Sequence, residues 1–140
     1  MNNPKIPNLS PQNNKLIGMV GLPYSGKSTV AQAMGFPIVC PDAIRMALHG
    51  TRFIGIMEPY VWAITHTMVR SLFMAGHRIV ILDATNTTQQ RRREWESGFW
   101  DTVWEVVDTP PSVCIKRAQE QGDDIMIGII HKMADEITYP

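Results

Sequence analysis

The segment Gly21-Leu-Pro-Tyr-Ser-Gly26-Lys27-Ser28 has the residue types and the spacing of a loop that binds phosphate groups. In the pattern G-x-x-x-x-G-K-[ST], glycines let the backbone approach a phosphate closely, so that successive N–H groups point at its oxygens. The lysine reaches the β- and γ-phosphates, and the serine hydroxyl is a ligand for Mg²⁺. The alternative is an ordinary strand-to-helix turn with an incidental lysine. We expect ATP or GTP, with Mg²⁺, to bind at Gly21, Tyr24, Ser25, Gly26, Lys27, Ser28 and Thr29.

A carboxylate ends the apolar run Arg78-Ile-Val-Ile-Leu-Asp83. If this run is a buried strand, Asp83 lies at the carboxyl edge of the sheet, where ligands of open parallel sheets bind. An acid at that edge can hold Mg²⁺ directly or through water. The alternative is that Asp83 caps the following turn, because Asp-Ala-Thr-Asn is also good turn chemistry.

A second carboxylate and a cation follow the next apolar segment, in Asp42-Ala-Ile-Arg45. Phosphoryl transfer to a hydroxyl needs a group that accepts the hydroxyl proton and a cation that holds an anionic acceptor. We place Asp42 at the N-cap of a helix, so that residues three apart face one cleft. A helix cap with a surface ion pair would explain the same pattern.

Apolar runs alternate with helical patterns along the chain and predict the elements that position these residues. We expect strands at 16–20, 37–40, 78–83 and 102–107, and helices at 27–34, 43–48, 58–75, 89–96, 111–121 and 125–136. The inward face of the longest helix should carry Val61, Ile64, Thr65, Met68 and Leu72. The pattern predicts an α/β fold of the P-loop NTPase type: a three-layer α/β/α sandwich with a short, mostly parallel sheet of about four to five strands, and a small helical lid.

The size of the chain fits one domain, because 140 residues can bury one core. We expect a flexible N-terminal tail at 1–14, which is rich in proline and asparagine, and a catalytic domain at 15–140. No apolar run reaches the roughly 18 residues needed to cross a bilayer. The two cysteines, Cys40 and Cys114, form no metal or redox motif and are expected to be reduced thiols in the cytoplasm.

The formal net charge is +0, so the chain lacks the overall basic character of proteins that bind nucleic acid indiscriminately. The run Arg91-Arg92-Arg93 is a local exception. It can bind acceptor phosphates or form a solvated helix face.

Together these motifs resemble the 5′-kinase domain of phage-type polynucleotide kinases, within a wider group of P-loop kinases that includes zeta-toxin-like enzymes. The resemblance covers the phosphate loop, the segment Asp42-Ala-Ile-Arg45, and Leu82-Asp83-Ala-Thr85-Asn86 followed by the arginine run. It implies that Asp42 is the general base and that Arg45 contacts a substrate phosphate. It also implies that Asp83, Thr85 and Asn86 line the metal or acceptor side, and that the lid brings Arg117 to the nucleotide. By the same resemblance, Arg92 and Arg93 contact the acceptor.

The chain departs from this family at two places. Tyr24 stands where the family usually has glycine, so the loop tolerates a side chain there or takes a modified conformation. The lid segment 119–124 is acidic and lacks the second basic residue that the family uses on the transferred phosphoryl group. Three explanations remain open: Arg117 acts alone, another arginine substitutes, or the enzyme is slow.

Three functions fit these residues. The first is an NTP-dependent kinase acting on a nucleic acid or nucleotide, at a 5′-hydroxyl or at a hydroxymethylpyrimidine base, which must become extrahelical to reach a buried carboxylate. The second is a small-molecule kinase, which the neutral charge favours. The third is a non-catalytic nucleotide-binding switch, which the acidic lid favours.

Overall fold

A four-stranded parallel sheet forms the centre of the computed structural model, which describes residues 13–140. The first twelve residues of the expected tail therefore lie outside the described residues. The strands stand in the order β2-β3-β1-β4. They are β1 (Lys15–Val20), β2 (Ile38–Val39), β3 (Ile79–Leu82) and β4 (Asp101–Val106). β1 is central, because Lys15 lies opposite Ile79 of β3 on one side and Asp101 of β4 on the other.

Six α-helices follow or connect these strands in the described part of the chain. They are α1 (Lys27–Met34), α2 (Pro41–His49), α3 (Glu58–Met74), α4 (Gln89–Arg93), α5 (Pro111–Glu120) and α6 (Asp124–Glu136), with a 3₁₀ turn at Gly55–Met57. The predicted order of elements is confirmed, although α4 ends three residues earlier than expected. Within the described residues, no helix combines the length and the apolar character needed to cross a bilayer.

Helices cover both faces of the sheet. Met19 and Ile81 pack against Ala31 of α1 on one face. On the other face, Leu16 and Val80 belong to a larger cluster of side chains from α2, α3 and the segment after α4. Strands covered on both faces read as near-continuous apolar runs, which is why β1 and β3 were recognisable. The predicted three-layer α/β/α fold is confirmed.

The inward face of α3 agrees with the prediction only in part, because Val61 and Thr65 are buried and Ile64 and Leu72 pack partly buried against the core, whereas Met68 does not. The buried residues of α3 follow each other at intervals of four: Val61, Thr65, Val69 and Phe73. Met68, which was expected to face inward, is 41% exposed. The buried stripe is fixed by contacts far along the chain, such as the stacking of Phe73 on Trp100 at 5.4 Å. Thr65 is buried at little cost because its hydroxyl donates to the Val61 carbonyl at 2.7 Å.

The lid is formed by α5 and α6, which pack on each other through Cys114, Ala118 and Ile130. Leu22 of the phosphate loop is buried in the same cluster. The lid therefore packs directly on the loop that follows β1. Cys114 and Cys40 are both free thiols, as expected.

Candidate active site

The phosphate loop joins β1 to α1 and depends on two of its glycines. Gly26 precedes the first turn of α1 with φ 91°, a conformation that glycine adopts without steric cost. At Gly21, a Cβ atom would lie 2.8 Å from Ser25 Oγ and 3.1 Å from the Val107 carbonyl oxygen, so a side chain does not fit. The loop is held from outside by Thr109, whose hydroxyl donates to the Ser25 carbonyl at 2.7 Å.

Tyr24 has φ 64°, in the left-handed region that favours glycine. This backbone costs a residue with a side chain about 1 kcal/mol or more. Two contacts to the lid oppose this strain: Arg117 Nη1 donates to the Tyr24 carbonyl at 3.0 Å, and the Tyr24 hydroxyl donates to Asp123 Oδ2 at 2.7 Å. The hydrogen bond to the Asp123 carboxylate raises the pKa of Tyr24. The loop therefore keeps a glycine-like conformation and uses the tyrosine side chain to contact the lid.

The side chains of Ser28 and Asp83 are in direct contact, as two ligands of one metal ion must be close together. The Ser28 hydroxyl donates to Asp83 Oδ2 at 2.7 Å. Asp83 is 6% exposed, and its Oδ1 atom is buried without a hydrogen-bond partner in the described residues. Mg²⁺ takes few protein ligands and completes its octahedron with water and phosphate oxygens. These two side chains therefore fit Mg²⁺. Between residues 13 and 140, no three His, Cys, Asp or Glu side chains lie close enough together to hold a metal ion by themselves.

Asp42 lies in the first turn of α2, but not at the N-cap position that the sequence predicted. The N-cap is Cys40, and Pro41 begins the helix. Proline is favoured at the first helical position because its φ is already helical and its missing N–H would have no partner there. The Asp42 side chain is 79% exposed. The expectation of a buried carboxylate was therefore wrong.

Arg45 is bound by two carboxylates. Its Nη1 donates to Asp42 Oδ1 at 2.7 Å, while Nε and Nη2 donate to Glu58 Oε2 and Oε1 at 2.9 and 2.6 Å. Burial acts to lower the pKa of Arg45, but the hydrogen bonds and charges of Glu58 and Asp42 together outweigh it and raise the pKa above its ordinary value. Glu58 was recognised in the sequence only as the start of α3, because nothing in its spacing from Arg45 indicates a pair.

Cys40 follows β2 directly and precedes α2. Burial raises the pKa of its thiol, and the negative charges of Asp83 and Asp42 act in the same direction. The strands before these carboxylates are neighbours, because the Asp83 N–H donates to the Val39 carbonyl at 2.9 Å. Asp42 and Asp83 thus lie along one edge of the sheet, beside the phosphate loop.

Asn86 and Arg92 are structural in this fold. Asn86 is 1% exposed, and its Nδ2 donates to the Met19 carbonyl at 2.8 Å. Arg92 is 6% exposed, and its Nη1 donates to the carbonyls of Asn86 and Thr138 at 3.0 and 2.8 Å. Both side chains are almost completely buried, which leaves little of either surface for contact with an acceptor. Thr85 accepts a hydrogen bond from the Gly21 N–H through its backbone carbonyl, at 3.1 Å.

The remaining arginines of the run point in different directions. Arg93 lines a surface cavity together with Asp101, at the start of β4, and Tyr139. Because the strands are parallel, the start of β4 lies at the edge of the sheet opposite the phosphate loop. Arg91 instead lies over the Trp62 ring at 4.3 Å, and Arg45 is 5.8 Å from the same ring. Arg91 is therefore the member of the run that the fold brings to the Arg45 side.

Comparison with known proteins gives the family. The model of an AAA domain family, AAA_33, matches residues 16–126. No curated protein matches the chain.

Three solved structures illustrate the similarity. The first is of a Pnkp1/Rnl/Hen1 complex, with 26% identity over 74% of this chain and a TM-score of 0.67. The second is of a Pnkp1/Rnl/Hen1 RNA repair complex, with 18% identity over 91% of this chain and a TM-score of 0.65. The chain spans 38% and 48% of those two chains. The third is the APS kinase CysC of Mycobacterium tuberculosis in complex with AMPPNP and APS. It is 23% identical to this chain, with a TM-score of 0.60, and the match covers 90% of this chain and 77% of that one. The chain therefore belongs to the AAA_33 family of P-loop kinase domains.

Proposed function

We propose that this domain transfers the γ-phosphate of ATP or GTP to a hydroxyl group on a nucleic acid, at a 5′ end or on a hydroxymethylpyrimidine base. The observation that carries the proposal is the placement of Asp42. Its exposed carboxylate lies at the edge of the sheet that also holds Asp83 and the phosphate loop. A proton acceptor for the hydroxyl and a binding loop for the donor therefore lie at the same edge of the sheet.

The residues have distinct tasks in this transfer. Asp42 Oδ1 is engaged by Arg45, which leaves Oδ2 to accept the proton of the acceptor hydroxyl. The hydroxyl oxygen then bonds to the γ-phosphorus as the bond to the β–γ bridging oxygen breaks, and the nucleoside diphosphate leaves with that electron pair. Lys27 and Arg117 supply positive charge beside the phosphates. Mg²⁺, held by Ser28 and Asp83, would neutralise the charge that develops on the phosphate oxygens.

The environment of Asp42 supports an acceptor in nucleic acid. A side chain that is 79% exposed can be reached by the end of a strand without a deep cavity. Trp62 and Arg91 lie beside Arg45 and offer an aromatic surface and a cation of the kind that bind bases and phosphates. The Pnkp1/Rnl/Hen1 complex, one structure of which is 26% identical over 74% of this chain, is named an RNA repair complex, and this likeness supports an acceptor in nucleic acid.

A small-molecule acceptor is the second candidate, and the Arg45 ion pairs favour it. Two carboxylates surround one guanidinium, so Asp42, Arg45 and Glu58 together carry one net negative charge. Such a group repels a polyanion more than it repels a small hydroxyl compound. In that case, added DNA or RNA would leave the turnover of nucleotide unchanged.

The decisive experiment is transfer of labelled γ-phosphate to a panel of acceptors with Mg²⁺ present. The panel contains 5′-hydroxyl oligonucleotides of DNA and RNA, duplex DNA with hydroxymethylpyrimidine, and free nucleosides. Label on a nucleic acid supports the proposal, and label on nucleosides alone supports the second candidate. If nucleotide binds but no acceptor is labelled, the domain is a non-catalytic nucleotide-binding switch and the proposal fails.

A further inference from the structure

A hydrogen-bonded network at the rim of the phosphate loop takes no part in the transfer described above. The Asp123 carboxylate accepts from the Tyr24 hydroxyl at 2.7 Å and forms an ion pair with Arg52 Nη1 at 2.6 Å. Tyr24 belongs to the phosphate loop, Asp123 caps α6, and Arg52 lies between α2 and α3. The network therefore joins the donor loop, the lid and the segment that follows the helix of Asp42.

The network places Arg52 without using up its hydrogen-bonding capacity. The Asp123 side chain is 10% exposed and has its oxygens occupied by Tyr24, Arg52 and the Met126 N–H. The Arg52 side chain is 55% exposed, and a guanidinium has five N–H donors. Arg52 therefore keeps several N–H groups for a ligand, while its position is fixed by a carboxylate that is itself held.

Tyr24 connects two guanidinium groups. Arg117 donates a hydrogen bond to the Tyr24 carbonyl oxygen. Arg52 forms an ion pair with the Asp123 carboxylate, which in turn accepts a hydrogen bond from the Tyr24 hydroxyl. This arrangement also gives a reason for a tyrosine in a strained backbone position: its hydroxyl extends from the loop to the Asp123 carboxylate. A smaller side chain at position 24 would leave Asp123 and Arg52 without a link to the phosphate loop.

We propose that Arg52 is a second arginine of the phosphate site, positioned by Asp123 and Tyr24 to bind the terminal phosphate of the donor nucleotide. Charge spreads over the oxygens of that phosphoryl group during transfer, and fixed cations around it stabilise the transition state. The lid itself offers Arg117 but continues as an acidic segment. Arg52 supplies the further positive charge from the segment between α2 and α3, outside the lid. This inference rests on the proposed function, since it requires a bound nucleoside triphosphate.

The test compares binding of AMPPNP, which has a third phosphate, with binding of ADP. Arg52→Ala should weaken AMPPNP binding by roughly 10-fold or more, the size of a charged hydrogen bond, and change ADP binding less than about 2-fold. Arg52→Lys should recover much of the loss, because it restores the charge. Arg78→Ala is the matched control, since Arg78 is exposed at the start of β3, on the opposite edge of the sheet.

The positioning role of the other two residues is tested in the same assay. Tyr24→Phe removes only the hydroxyl, and Asp123→Asn removes only the charge. Each should reproduce part of the AMPPNP loss, and neither should add fully to Arg52→Ala, because residues of one network couple. Thermal unfolding of each variant checks that the domain is folded.

The outcomes separate this inference from the proposed function. If the wild-type protein binds AMPPNP but Arg52→Ala binds it equally well, or loses ADP binding in the same proportion, the role of Arg52 is overturned and the proposed function stands. If the wild-type protein binds neither nucleotide, both fail. A selective loss of AMPPNP binding in Arg52→Ala, recovered by lysine, supports the inference.

Discussion

Arg45 and Glu58 form a two-point ion pair, with Nε and Nη2 at 2.9 and 2.6 Å from the two carboxylate oxygens. The pair joins α2 to the start of α3, and the two side chains are only 14% and 18% exposed. Parallel bonds between a guanidinium and a carboxylate fix orientation as well as distance. Glu58 therefore determines where Arg45 points, and through Arg45 it orients the Asp42 carboxylate.

Glu58→Gln should lower both stability and phosphate transfer. It removes the charge from a pair whose side chains are mostly buried, and we expect the free energy of unfolding to fall by about 1–3 kcal/mol in urea titrations. Nucleotide affinity should stay within about 2-fold, because the phosphate loop is not altered. Glu94→Gln is the control: its partner Arg91 is also exposed, and such pairs contribute about 0–1 kcal/mol. Equal losses in the two variants would contradict this role of Glu58.

Asp42→Asn should abolish most of the transfer without affecting donor binding. The amide keeps the shape of the side chain but does not accept the hydroxyl proton, and loss of a general base lowers rates by about 10² to 10⁴. The measurement is single-turnover transfer at saturating nucleotide, with nucleotide affinity determined separately. Asp124→Asn, at the exposed first residue of α6, makes the same chemical change near a helix N-terminus and should remain active. Full transfer by Asp42→Asn would exclude Asp42 as the base.

Asp83→Asn should separate the metal requirement from the stability of the fold. The Ser28 hydroxyl can still donate to the asparagine carbonyl oxygen, and the buried Oδ1 of Asp83 has no partner to lose. The metal-free protein should therefore unfold at a similar denaturant concentration. The Mg²⁺ concentration needed for half-maximal transfer should rise by roughly 10- to 100-fold. An unchanged Mg²⁺ dependence would place the metal ligand elsewhere.

Local sequence patterns predicted the phosphate loop, the order of the elements and the sheet edge that collects Asp42 and Asp83. These features depend on short-range chemistry: glycine conformations, apolar strands and the carboxyl ends of parallel strands. The Arg45–Glu58 pair and the Arg52–Asp123–Tyr24 network depend on contacts between residues 13 to 99 positions apart. No spacing rule describes such contacts, because loop geometry and packing decide which side chains meet.

Burial was the other property that the sequence did not reveal. An arginine run on a short helix has the same local pattern whether its members face solvent or the interior. Arg92 is buried because Asn86 and the backbone of Thr138 offer acceptors beneath it, and the position of Thr138 follows from α6, far along the chain. The left-handed backbone of Tyr24 was likewise hidden, since its compensating contacts come from the lid.

Arg92→Ala should lower the stability of the fold strongly and Arg93→Ala hardly at all, although the two residues are neighbours. Arg92 donates to the carbonyls of Asn86 and Thr138, so its removal leaves the buried Asn86 carbonyl unpaired and should lower the free energy of unfolding by about 1–3 kcal/mol. Arg93 is exposed, and its removal should change stability by less than about 0.5 kcal/mol. Urea unfolding of both variants is the measurement. Because Arg93 lies at the edge of the sheet opposite the phosphate loop, its removal should also leave the KM for a nucleic-acid acceptor unchanged, and a raised KM would contradict this placement.

His66 should make stability depend on pH. Its ring stacks on that of Trp95, with centroids 3.9 Å apart and 9° between the planes, and burial lowers the pKa of His66 below its ordinary value of 6.5. The unfolded chain therefore binds this proton more readily than the folded one, and stability is lost as pH falls through 6.5. The loss is complete below the folded-state pKa.

The comparison that isolates this effect is wild type against His66→Phe. Phenylalanine keeps an aromatic ring against Trp95 but has no proton to gain, so the variant should lose less unfolding free energy than wild type between pH 8 and about 5.5. Other groups that titrate in this range contribute equally to both proteins, and the difference between the two pH profiles therefore belongs to His66. Identical profiles would mean that protonated His66 is tolerated beside Trp95, as a cation held against the indole face would be.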